Sequence, residues 1–266
     1  PDVTITDTSL TMRRPPCLTL EQYVANLKKH GVVRIIDYFP FDDFYKQIGD
    51  AAPPREVTSS VEKIANERFE VWVAPKAQGS VLRWRDKKRG VELLRGYENY
   101  GRGPGTWQDW TIGGGQPEMP VADVYEVAQR AEGSVTLRTT LANGVVVERT
   151  MALTPGSDTF DVTLTCTNPT GVPQKAAMKM HPEFSTHGPY RPEIWTFDGT
   201  VWSQFNKDAD PATKAWGRLA TGTPPRQAAF YLPKKRLGVL ATFDDTTLGG
   251  FVSFYNTSTN AEHVNI

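Results

Sequence analysis

The chain has 266 residues with 30 basic and 30 acidic side chains, so its net charge is zero and no global field draws nucleic acid or an anionic membrane. No apolar run reaches the roughly 18 to 20 residues that span a bilayer. Two cysteines, Cys17 and Cys166, are too few for a disulfide scaffold or a metal-ligand pattern.

Residues 1–55 read as a small α/β segment. Thr19 and Gln22 have the spacing of a capping box, and Leu20, Tyr23, Val24 and Leu27 recur at helical spacing before a stop at Gly31. A buried strand is expected over 32–38, a short helix over 41–48 and a linker over 51–54. His30 closes the first helix, where a cation suits the dipole. No secretory leader is visible, and a start at Pro1 rather than Met fits a processed product or an excised domain.

From Glu56 onward the pattern is β. Strands are expected over 68–73, 81–85, 91–94, 121–128, 134–141, 145–153 and 160–167, and later over 227–232, 237–243 and 250–255. Asn143-Gly144 signals a two-residue hairpin. The basic runs 86–89 and 234–236 each sit beside a glycine or turn and read as solvated hairpin ends. Cys166 falls on the apolar face of its strand and is expected to be a buried thiol. Regular strands with short turns indicate a sandwich or barrel.

Two long segments break the rhythm and are expected to be loops with a function. The first, 96–120, carries Arg102, Trp107 and Trp110 among glycines; the second, 187–216, carries Glu193, Trp195 and Trp202. Rings in such loops can stack on the apolar face of a pyranose. Trp107 and Trp110 fit that role or a plug at the sandwich edge, whereas Trp195 and Trp202 read as core.

Between these segments lies Lys-Ala-Ala-Met-Lys-Met-His-Pro-Glu-Phe, residues 175–184. If 175–181 is a strand, Ala176, Met178 and Met180 face a core while Lys175, Lys179 and His181 face the other way. A histidine and a lysine on one face, followed by Glu183, suggest a polar ligand site. His181, Glu183 and His187 could be imagined as metal ligands, but Pro182 and the loop after Phe184 argue against a preformed geometry. No metal and no cofactor are expected.

The hairpin 79–94, the run Gly144-Val-Val-Val-Glu-Arg-Thr-Met-Ala-Leu153 with Thr154-Pro-Gly-Ser157, the strand 160–169 and His181-Pro182 occur in an order that resembles the galactose mutarotase-like superfamily. The resemblance covers residues 56–266. It implies an all-β, galactose mutarotase-like β-supersandwich, here with a small N-terminal α/β appendage. In mutarotases a histidine at the position of His181 is the general acid on the sugar's ring oxygen, and a C-terminal glutamate takes the anomeric proton. Glu262 lies in the matching region, with Glu183 as the alternative base. Ring opening needs one proton given and one taken, so acid and base must flank the sugar. The family's earlier histidine would fall near 96–115, where this chain has Arg102, Trp107, Gln108 and Asp109 and no histidine. A closing strand after 255 is also not expected.

The expectation is therefore carbohydrate recognition, with His181, Lys179, Trp107, Trp110 and Arg102 as contacts and Glu183 and Glu193 accepting from sugar hydroxyls. The alternatives are an aldose 1-epimerase-like isomerase, with His181 as acid and Glu262 or Glu183 as base, and a purely structural domain. Residues 23–39 are similar to a helix-to-strand unit of glycoside-hydrolase-like barrels, which implies an upstream domain of the same polypeptide. The expected partner is a sugar or oligosaccharide, with no nucleic acid and no membrane. An extracellular or periplasmic setting follows if the whole is a secreted carbohydrate-active protein.

Overall fold

The computed structural model describes residues 2–14, 29, 55–94, 107–113, 116–117, 124–141, 143–174, 177–185, 192–204, 226–243, 254–256 and 263–265. Apart from Lys29, which is helical, and a 3-10 turn at Pro233–Lys235, their regular structure is β. The protein is all-β in these residues, arranged as several antiparallel sheets.

A three-stranded sheet joins β1 (Asp2–Ile5), β2 (Ser9–Arg14) and β3 (Arg55–Ser60). Its ladder pairs Ser9 with Ser60 and Arg14 with Arg55. The first strands thus hydrogen-bond to the start of the β-rich part. Apart from the helical Lys29, the helices and strand expected within 20–48, the linker at 51–54, Cys17 and His30 lie outside the described residues.

Among the described residues the largest sheet has nine strands. Its chain-order members are β4 (Glu62–Ala65), β5 (Phe69–Ala74), β6 (Ser80–Asp86), β7 (Val91–Glu92), β8 (Trp107–Gly113), β9 (Gln116–Pro117), β14 (Ala177–Ser185), β19 (Phe254–Asn256) and β20 (His263–Asn265). A four-stranded meander follows β9: β10 (Glu126–Ala131), β11 (Ser134–Thr140), β12 (Val146–Ala152) and β13 (Asp161–Thr167). The last sheet also has four strands, in the order β16 (Trp202–Gln204), β15 (Glu193–Phe197), β17 (Gln227–Leu232) and β18 (Leu237–Thr242).

Period-two alternation sends one side of each sheet inward. Phe69, Val71 and Val73 of β5, Val147 and Met151 of β12, and Phe230 and Leu232 of β17 are all buried in one continuous core. Trp84 of β6 sits among Phe69, Phe160, Phe184 and Trp107, with ring centroids 5.1 to 6.3 Å apart. A second cluster of Leu10, Ala74, Ala77 and Leu82 ties the N-terminal sheet to β5 and β6.

Several expectations need correction. Residues 107–113 and 116–117 of the first supposed loop, and 193–197 and 202–204 of the second, are strands. The strand expected to end at His181 runs on to Ser185 through Pro182. Pro182 is the last residue paired with β8; beyond it Phe184 bridges Leu94 and 183–185 pair with β20. The missing N–H thus falls where the strand changes neighbours. β20 itself is a closing strand after 255, contrary to expectation, and pairs with both β14 and β19. The Asn143-Gly144 turn holds a third residue: Leu141 N donates to Val145 O at 2.8 Å, and Gly144 takes a φ of 84° that suits glycine. Of the strand expected over 121–128, residues 121–123 lie outside the described residues, and the strand β10 begins at Glu126, after a buried Tyr125. Cys166 shares its phase with the half-buried Val162 and Leu164, but β13 is a sheet edge and the thiol is exposed rather than buried. What burial remains pushes its pKa up. Residues 87–89 and 234–236 are exposed, as expected of solvated turns.

Candidate functional site

The β8–β14 ladder brings together two segments about 70 residues apart in sequence. Its register sets Lys179 opposite Trp110, His181 opposite Gln108, Met180 opposite Asp109 and Pro182 opposite Trp107. Directly opposed residues in an antiparallel pair share a face, and neighbours along a strand alternate. Trp107 and Pro182 are buried and mark the core side. Trp110, Gln108, Lys179 and His181 therefore occupy register positions on the other side. Met180 shares the core side in register yet is 37% exposed, so the core does not reach it.

Glu183 continues the non-core row of β14. It is 4% exposed, with Asn265 of β20 opposite it, and Ser185 N donates to Leu93 O at 2.9 Å just beyond. A carboxyl so deep in a sheet needs hydrogen bonding to be tolerated.

Trp107 does not offer a sugar platform. It belongs to a strand rather than an exposed glycine-rich loop, and its ring is 7% exposed. Phe160 lies 5.5 Å away edge-on, and the Arg149 guanidinium carbon lies 5.7 Å from the ring centre. The core-plug reading of this residue is the one that holds. Arg149 is itself fully buried, and its Nη1 donates to Gly79 O at 2.8 Å. Arg102, His187 and Glu262 lie outside the described residues. Glu193 lies on β15, in another sheet, and accepts from Trp195 Nε1 at 3.2 Å. Trp195 is half-buried, whereas Trp202 is 42% exposed and not a core residue.

A cluster on the non-core side of β4, β5 and β6 escaped the sequence reading. Lys63 Nζ and the Arg83 guanidinium lie 4.8 and 4.9 Å from the Trp72 ring centre, within cation–π range. Arg83 Nε donates to Glu92 Oε1 at 2.8 Å, and Lys63 pairs with Asp7 at 3.3 Å. Each cation here already has a carboxylate, so the cluster is closed and structural. The signal was present: Trp72 alternates with the buried Val71 and Val73, which assigns it to the other face.

No family model matches the chain, and no curated protein matches it. Among solved structures, a TPR-domain containing protein from Parabacteroides distasonis is similar at 12% identity and a TM-score of 0.57, covering 81% of this chain and 44% of that one. The Slr1438 protein from Synechocystis is similar at 12% identity and a TM-score of 0.57, covering 77% of this chain and 84% of that one. The chain thus spans 44% of the length of the first. Likeness at this identity shows a shared fold.

Proposed function

We propose that this chain is a carbohydrate-recognition domain of the mutarotase-like β-supersandwich kind, an accessory part of a larger carbohydrate-active protein. The observation that carries the reading is the β8–β14 register, which sets Trp110 beside Lys179 and Gln108 beside His181 on the side away from the core. A pyranose needs an aromatic surface for its C–H face and mixed donors and acceptors for its hydroxyls. The residue types at these four register positions are an indole, an ammonium, an amide and an imidazole, the set such a ligand needs. The large antiparallel sheet, sharing its core with two four-stranded sheets, supports the supersandwich form.

One observation favours a second reading, the isomerase. Glu183 follows His181 by two residues on the same side of β14, a step of roughly 6.6 Å. A histidine acid and a carboxylate base so placed could flank a bound ring.

Titration of the protein with glucose, galactose and neutral oligosaccharides, followed by amide NMR, tests recognition. Saturable binding weakened at least tenfold by Trp110→Ala and by His181→Ala is the expected result. Anomer exchange on freshly dissolved glucose and galactose separates the readings. Acceleration lost in His181→Ala would make the protein an isomerase, and exchange at the solvent rate leaves recognition standing.

A further inference from the structure

The outward side of the β16–β15–β17–β18 sheet is built unlike an ordinary solvated sheet face. Its inward side is plain core: Ile194, Ala228, Phe230, Leu232 and Leu237 are all buried. Alternation therefore assigns Glu193, Trp195 and Phe197 of β15, and Tyr231 of β17, to the outward side. A solvated antiparallel sheet usually carries polar residues there. This one carries rings in a row. Register sets Tyr231 beside Glu193 and Trp202 beside Phe197, with Trp195 midway between them. Successive ring positions along β15 are two residues, or roughly 6.6 Å, apart.

The rings are fixed and partly open. Phe197 and Trp202 stack with centroids 5.2 Å apart and planes 27° from parallel, and Trp202 is 42% exposed. Trp195 is anchored by its Nε1 donation to Glu193 Oε2 at 3.2 Å. Tyr231 is 39% exposed and leans over Gly238, where an added Cβ would lie 3.3 Å from its ring. Ala229, opposite Trp195, is small, and beyond it on the same side Leu240 of β18 is 58% exposed.

Between the rings stand neutral hydrogen-bonding groups. Gln204 pairs with Trp195, and Gln227 pairs with Phe197 and donates to Thr242 Oγ1 at 3.2 Å. Among the described strand residues of this side, Glu193 is the one charged group, and it already holds an indole N–H. No cation is present on these strands' outward side to attract an anion. A row of rings interleaved with amides and one occupied carboxylate matches a neutral polyhydroxyl chain with apolar faces.

We propose that this face is a second saccharide platform, on which a neutral oligosaccharide lies along β15 with its sugar rings against Tyr231, Trp195 and Trp202. It shares the ligand class of the β8–β14 site but none of its residues. It is a binding surface, and no bond is made or broken there.

The test uses the whole chain with maltohexaose, cellohexaose, xylohexaose and mannohexaose as probes, read by tryptophan fluorescence and amide NMR. At least one hexasaccharide should bind saturably, shift amides within 193–204 and 227–240, and lose at least tenfold in affinity in Trp202→Ala and in Tyr231→Ala. The shifts within 193–204 and 227–240 should titrate with an affinity within twofold of wild type in His181→Ala, even where that substitution removes shifts at 108–110 and 179–183, which separates this platform from the other site. Because Trp202 is exposed, Trp202→Ala should keep the wild-type melting temperature within a few degrees, and that control shows that the variant folds. The proposal is overturned if none of the four shifts amides within 193–204 and 227–240, or if the shifts there survive both aromatic substitutions and fall with His181→Ala. It is equally overturned if Trp202→Ala abolishes self-association in sedimentation while no hexasaccharide binds, since the face would then meet a second copy of the chain.

Discussion

Arg149 occupies a core position in β12, between Val147 and Met151, with no exposed surface. Its guanidinium reaches the Gly79 carbonyl and the Trp107 ring rather than solvent. Alternation with Val147 and Met151 puts it on the buried face, a signal present in the sequence that the reading of 145–153 as a strand did not take up. Its partners were not legible, because Gly79 and Trp107 approach only in the folded chain. Gly133 shows a tighter constraint. Its φ is +71°, and an added Cβ would stand 2.6 Å from the Leu153 carbonyl oxygen, a backbone atom held in place by Leu153 N donating to Gly133 O. Gly133→Ala is expected to cost about 2–3 kcal/mol from left-handed strain and overpacking together. Urea unfolding measures it, and a loss below about 0.5 kcal/mol would contradict the geometry. Glu62 carries a pH signature. The Arg130 guanidinium donates to both of its oxygens at 2.7 Å and holds its pKa below the ordinary 4.5. A depressed carboxylate stabilises the fold above its unfolded pKa and loses that contribution as pH falls through the folded value. Arg130 is 63% exposed, so solvent screening keeps the pair under about 1 kcal/mol. Glu62→Gln should lower the urea midpoint slightly at pH 7, and the difference from wild type should narrow as the pH falls below 4.5 and through the lowered folded value.

At the scale of elements, local pairing decides what a sequence reveals. The hairpins β5–β6, β11–β12 and β17–β18 join neighbours in sequence through short turns. Their alternation and turn residues are read directly. β8, β15 and β16 are embedded in glycine- and aromatic-rich segments. β8 finds its long ladder partner in β14, far along the chain, and its local pairing with β9 is only two residues long, so little nearby marks it as a strand. The candidate site suffered accordingly: His181 and Lys179 could be assigned to one face, but the arrival of Trp110 and Gln108 beside them could not. Trp107 was misread for the same reason, since a strand position paired with Pro182 and Val81 is what buries it. The aromatic cluster around Trp84 is where strands from distant parts of the chain meet. Trp84→Ala should cost about 3–5 kcal/mol, as truncation of a buried tryptophan does. It should also disperse the amide resonances of β5, β8 and β14 together. A loss under about 1 kcal/mol in chemical denaturation would show that the cluster does not hold these strands.

Across the whole molecule, the ends are drawn in by long-range pairing. Residues 9–14 pair with 55–60, and 263–265 pair with 183–185. The all-β class was legible from composition and alternation alone. The way three sheets share one core was not, because it depends on which strands neighbour one another across the chain. That arrangement leaves β14 near the middle of the nine-stranded sheet, between β8 and β20, with its polar row opposite Trp110 and Gln108. The most direct measurement is an amide NMR titration of the intact chain with glucose, galactose and neutral oligosaccharides. Saturable shifts centred on residues 108–110 and 179–183, abolished by Trp110→Ala, are the result expected of a saccharide-recognition site. No saturable shift at those residues with any of these sugars, in a protein whose spectrum remains folded, would contradict it.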